Sequence, residues 1–148
     1  MFSLFKKKST ADESGQSLFR FVPDNVSQKA VRSLVAKTEL YPKTKKELII
    51  LGQEHRRIYQ FESATLNVSL VPDAGTVKVM CSDKQIGTVP GRQTEHALYT
   101  IKGDYVATAE LSGGPYKIIQ DRFDDYGHPN YWIDKHNDDI EVKVFVRY

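Results

Sequence analysis

Four histidines, His55, His96, His128 and His136, are the residues of this chain most able to move a proton or bind a metal near neutral pH. None of them has the tight two-ligand spacing of a zinc site. Asp124-Asp125 with His128 and His136 put oxygen and nitrogen donors into one stretch, yet Gly127, Pro129 and Asn130 there read more simply as turn residues. No metal ligand is assigned. Cys81 and Ser112 have no histidine close in sequence to act as a base. There is no Gly-rich phosphate loop and no GxSxG. Gly113-Gly114 reads as a tight turn between two strands. No catalytic residue and no cofactor is expected.

Binding chemistry is better represented. Arg57, Lys84, Arg92 and Lys117 fall on candidate strands and turns, and Tyr59 and Tyr116 lie among them. Arg122, Tyr126, Tyr131 and Trp132 continue the mixture. A single strand of nucleic acid is held by this combination: cations track the phosphates while aromatic faces stack on bases, at ~1 to 3 kcal/mol per base. The competing reading is that strands carry Lys and Arg for solubility and that tyrosines fill a small core.

These residues must be placed by elements, and the pattern supplies them. Leu18 to Val22 alternates like a short strand. Asn25 or Ser27 is positioned to cap a helix reaching Leu34-Val35. Thr44-Lys45-Lys46-Glu47 has the form of a capping box, and Gly52 ends the helix behind it. After Gly52 the period changes to two. Ile58 to Phe61, Thr65 to Pro72 and the hairpin Val77 to Pro90 read as strands. Arg92 to Ile101 reads as a helix. Tyr105 to Leu111 and Tyr116 to Ile119 are strands, Asp121 to Asp139 a polar loop, and Ile140 to Tyr148 a closing strand. Leu66, Val68, Val79 and Val144 are expected to share one core.

At 148 residues the chain fits one domain, and 40% hydrophobic content suffices for one core. The net charge of +2 neither requires nor excludes a nucleic-acid partner, since a local basic face matters more than the total. A single cysteine excludes an internal disulfide framework and suits a reducing cytoplasm. Cys81 itself reads as a packing residue. No run approaches the ~18 apolar residues of a membrane span. Residues 1–16 are expected to be a mobile basic tail. Phe2, Leu4 and Phe5 ahead of Lys6-Lys7-Lys8 would touch an anionic membrane surface only weakly, at ~1 kcal/mol per lysine. The remainder, residues 17–148, is expected as one mainly β (α+β) domain, a small, strongly curved sheet or barrel with N-terminal helices.

Five segments in order, TKKELIILGQ, RRIYQFES, LNVSLVPD, VKVMCSDKQIGTVP and AELSGGPYKII, resemble the HIRAN-like proteins of bacteria and their phages. The resemblance covers roughly Ser17 to Ile119. It implies a small OB-like β-barrel crossed by one helix, with the 77–90 hairpin as adjacent barrel strands and Gly87 at a bend. In that family a HIRAN domain captures the free 3′ end of single-stranded DNA through a loop bearing a tyrosine and an aspartate. Here the corresponding loop is only Asp73-Ala74-Gly75-Thr76 and holds no tyrosine, so that pocket does not carry over.

The expected function is a non-enzymatic module that binds single-stranded nucleic acid weakly, in a phage or mobile-element setting, through Arg57, Tyr59, Lys84, Arg92, Tyr116 and Lys117. The alternative is a protein-interaction module without nucleic-acid affinity. A hydrolase using the loop from Asp124 to His136 is the third reading.

Overall fold

The structure is a computed structural model and describes residues 15–148. Most of the expected tail, including its apolar residues and three lysines, lies outside the described residues. Gly15 and Gln16 belong to the fold instead. Gly15 exchanges backbone hydrogen bonds with Tyr148, at 2.5 and 2.9 Å, and Gln16 opens strand β1 (Gln16–Phe21) opposite Arg147.

Helices α1 (Asn25–Ser33) and α2 (Lys45–Ile50) follow, then β2 (Ile58–Tyr59), β3 (Ala64–Asp73), β4 (Thr76–Cys81) and β5 (Lys84–Thr88). A single 3-10 turn at Gly91–Gln93 leads into α3 (Thr94–Thr100). The chain ends with β6 (Val106–Gly113), β7 (Tyr116–Phe123), β8 (Pro129–His136) and β9 (Ile140–Arg147). Every strand pair is antiparallel. Six strands form one sheet in the order β1-β9-β6-β3-β4-β5, and three form a second in the order β2-β7-β8. The class is mainly β with added helices, as the pattern of short alternating segments predicts.

The large sheet curls into a half-barrel, and its residues explain why. β9 turns Ile140, Val142, Val144 and Val146 inward, while β6 lines the same core with Ala107, Ala109 and Leu111. β3 is ten residues long and serves two partners. Ala64 to Val68 pair with β6, and Ser69 to Asp73 pair with β4. The ladder β4–β5 slips between Val79 and Met80; such bulges bend a strand and increase its twist. The two edges thereby approach each other. A Cβ on Gly87 of β5 would collide with the ring of Phe21 at the end of β1, so glycine is required by close approach at this seam. α1 packs on both β5 and β9. Its buried Gln28 donates to the Ile140 carbonyl at 2.8 Å and accepts from the Ile140 amide at 3.1 Å. Leu66, Val68, Val79 and Val144 do meet in this core, Leu66 partly exposed.

Several local expectations are corrected. The cap of α1 is Asp24, whose carboxylate accepts from the Ser27 amide at 2.9 Å, rather than Asn25 or Ser27. An Asp preceding an Asn is the equally good cap one residue earlier. The capping box at Thr44 and Glu47 is present in both directions, at 3.2 and 2.9 Å. Its hydrogen bonds to Thr44 hold the Glu47 carboxyl below its ordinary range. Cys81 packs against the core but is only half-buried. Gly113 and Gly114, both at positive φ (88° and 91°), do not turn between paired strands. They pass the chain from the large sheet to the small one. The stretch from Asp121 to Asp139 is mostly not a loop: β7 continues to Phe123, β8 returns from Pro129, and their ladder holds eight pairs.

Candidate functional site

The second sheet has one covered face and one open face. Antiparallel register places Ile58, Lys117 and Lys135 side by side, followed by Ile119 with Ile133 and Asp121 with Tyr131. This face packs a small core of its own. Leu48 of α2, Ile58 and Ile119 are buried, with Leu40, Tyr41, Tyr131 and Ile133 around them. His55, at φ 64°, reaches Asp121 at 2.8 Å on the same side.

The opposite face carries Tyr59, Tyr116 and His136 in one row, then Ile118 with Asp134, Gln120 with Trp132, and Arg122 with Asn130. Tyr116 stacks on His136 at 4.6 Å with planes 6° apart, and Tyr59 lies 5.3 Å from Tyr116 at 52°. The Arg57 guanidinium sits 4.7 Å over the Tyr116 ring and donates to Tyr59 Oη at 3.5 Å. That hydrogen bond, with the neighbouring phenols, holds Arg57 still more firmly in its charged form. Farther along, Arg122 lies 5.4 Å over Trp132, which is 40% exposed. At the hairpin tip Phe123 and Tyr126 are exposed.

Three of the residues singled out from sequence, Arg57, Tyr59 and Tyr116, are therefore neighbours. The other three are not in this cluster. Lys84 opens β5 opposite Cys81 in the large sheet, and Arg92 sits in the 3-10 turn before α3; both are exposed. Lys117 is buried on the covered face. Its ammonium donates to the Lys43 carbonyl at 2.8 Å and lies 5.2 Å over Tyr41. Burial, and secondarily Lys135, lower its pKa from the ordinary lysine value. The expectation that Lys117 contacts phosphate is corrected on that ground. Tyr116 is also buried, its ring flanked by His136 and Arg57, so it supports its neighbours rather than offering a free face to a base.

The stretch from Asp124 to His136 does not gather a metal-like set. His136 pairs opposite Tyr116 at one end of the β7–β8 ladder, whereas Asp124 lies beyond its other end. Asp124 instead builds the tip: its carboxylate accepts from the amides of Tyr126 and His128, each at 2.8 Å. The His128 amide leads in holding that carboxyl below its ordinary range. The loop between β3 and β4 is a two-residue turn, with Ala74 and Gly75 at positive φ. Asp73 is taken up by an ion pair with Lys78 at 2.6 Å.

No protein-family model, curated protein or solved structure matches this chain.

The chemistry of the open face must therefore be read from its own geometry. Two guanidinium–ring pairs, Arg57 with Tyr116 and Arg122 with Trp132, stand toward its two ends with Ile118, Asp134 and Gln120 between them; a cation beside a ring is a combination that suits stacked bases joined by phosphates. A cleft of about 500 Å³ adjoins it at the sheet crossing, lined by Arg57, Tyr59 and Phe61 but also by Asp138, Asp139 and Glu141. Carboxylates disfavour an anion in the cleft, so the Arg122 end of the face is the more favourable of the two for negative charge. Trp132 and Arg122 are the pair missed as site residues by sequence reasoning. The signal was the run Tyr131-Trp132-Ile133, aromatic and β-branched residues that favour a strand once the turn residues are confined to Asp124 through His128.

Proposed function

We propose that the protein is a non-enzymatic binding module whose open three-stranded face takes single-stranded nucleic acid. One observation carries the reading: Tyr59, Trp132 and Arg122 lie on one face of one sheet, Arg122 over Trp132, and Arg57, just ahead of β2, places its guanidinium over Tyr116 of the same face. Bases stack on the exposed part of Trp132, and the cations meet the phosphates. The carboxylates of Asp134 and Asp138 keep the affinity low, within the ~10⁻⁴ to 10⁻⁶ M of non-specific binding. The reading includes a HIRAN-like relationship, a phage or mobile-element context and a cytoplasmic setting. Among the described residues no helix is long and apolar enough to cross a membrane.

The test is a fluorescence-polarisation titration with single-stranded and duplex DNA at two salt concentrations. Trp132→Ala should weaken single-strand binding by ~1 to 3 kcal/mol and leave the salt slope unchanged. Arg122→Ala should flatten that slope by about one unit. With no Tyr-Asp loop, a free 3′ hydroxyl should bind no better than a 3′ phosphate. Absence of binding at low salt would remove this reading. The protein-interaction reading would then take its place, supported by the acidic cleft rim and the exposed Phe123 and Tyr126.

A further inference from the structure

β8 is the edge of the second sheet. It is eight residues long, pairs with β7 on one side, and has no described strand on the other. An edge of this length presents unpaired backbone donors and acceptors and is a template for another strand. Pro129 stands only at its first residue, and in its middle, where Tyr131, Trp132 and Ile133 are all partly exposed, the Lys45 ammonium of α2 donates to the Tyr131 carbonyl at 3.1 Å, which leaves that oxygen a second lone pair for a pairing strand.

We propose that β8 pairs antiparallel with β8 of a second copy of this chain, about a two-fold axis through Ile133. The register of β7 on β8 decides both the occupant and the alignment. Centred on Ile133, the covered face continues across the axis as Ile119, Ile133, the partner's Ile133 and the partner's Ile119, joining two small apolar cores. One step away, Lys135 meets the partner's Tyr131 and, beside it, the partner's Asp121, and the same pair recurs on the other side by symmetry. The ammonium that sits near Lys117 in one copy thus gains an aromatic face and a carboxylate. On the open face the partner's Asp134 comes beside the Arg122–Trp132 pair. Centring the axis on Asp134 would instead appose two carboxylates, which is unfavourable for directly opposite residues. A six-stranded sheet results, with two open faces merged into one. The inference needs no ligand, so it stands or fails separately from nucleic-acid binding.

Sedimentation velocity of the full chain, from micromolar to millimolar concentration and without nucleic acid, should show a monomer–dimer equilibrium. Lys135→Glu, at an exposed position, should weaken it about tenfold or more, or roughly 1.4 kcal/mol, while circular dichroism shows the chain still folded. In a Cys81→Ser background, Ile133→Cys should cross-link symmetrically on mild oxidation. Asn130→Cys should not, because the two copies of residue 130 would be about 20 Å apart along the strands. A monomer at all concentrations would overturn the proposal. So would a dimer indifferent to Lys135→Glu, or one that cross-links through residue 130 in place of 133.

Discussion

Lys117 shows how much a single side chain's environment decides. Next to Tyr116 and after a glycine pair it looks like a surface cation, but the pleat turns it onto the covered face, where Lys43 and Tyr41 receive it. Burial lowers its pKa below the ordinary 10.5. Between the lowered value and 10.5 the unfolded chain holds a proton that the folded chain has released. Stability therefore rises with pH through that window, and the penalty for charging the group is complete below it. Lys117→Met, similar in shape and uncharged, should change stability near neutral pH by no more than about 1 kcal/mol. Its difference from the native chain should shift in favour of the native chain as pH rises toward 10.5. Urea denaturation of both proteins across that range measures this. A loss above about 3 kcal/mol at neutral pH would mean that the bond to the Lys43 carbonyl outweighs the cost of burying the charge.

At the scale of elements, the fold depends on a seam without a hydrogen-bonded ladder. β1 and β5 stand at opposite ends of the strand order and meet through Phe21 over Gly87, with α1 laid across. Gly87→Ala must displace the Phe21 ring and should cost about 1 to 3 kcal/mol. The denaturation midpoint should fall while its slope is kept; a change under about 0.5 kcal/mol would mean that the seam is loose. Much of this level was legible in sequence. The inward valines of β9, the capping box at Thr44 and the hairpin of β4 and β5 all announce themselves through period and turn chemistry. The β7–β8 hairpin did not. Its residues are divided between a face packed on α2 and an open face bearing Trp132 and Arg122, so both faces carry large and polar side chains and the alternation of polarity vanishes. Gln28 was equally silent: a glutamine that binds the Ile140 backbone lies more than a hundred residues from its partner.

Over the whole molecule, the two sheets divide the work. The large sheet and α1 hold the main core, and the glycine pair at Gly113-Gly114 hands the chain to a smaller sheet backed by α2. That leaves one sheet face open, with rings and guanidinium groups, and it is the face proposed to hold nucleic acid. Trp132 is the chain's single tryptophan and lies on that face, so its emission reports on the face alone. Titrating the protein with a short oligothymidylate at low salt should quench this emission as bases stack on the indole, with an apparent affinity matching the polarisation titration and falling steeply as salt is added. Binding detected by polarisation while Trp132 emission stays unchanged, or no binding at all, would contradict the account.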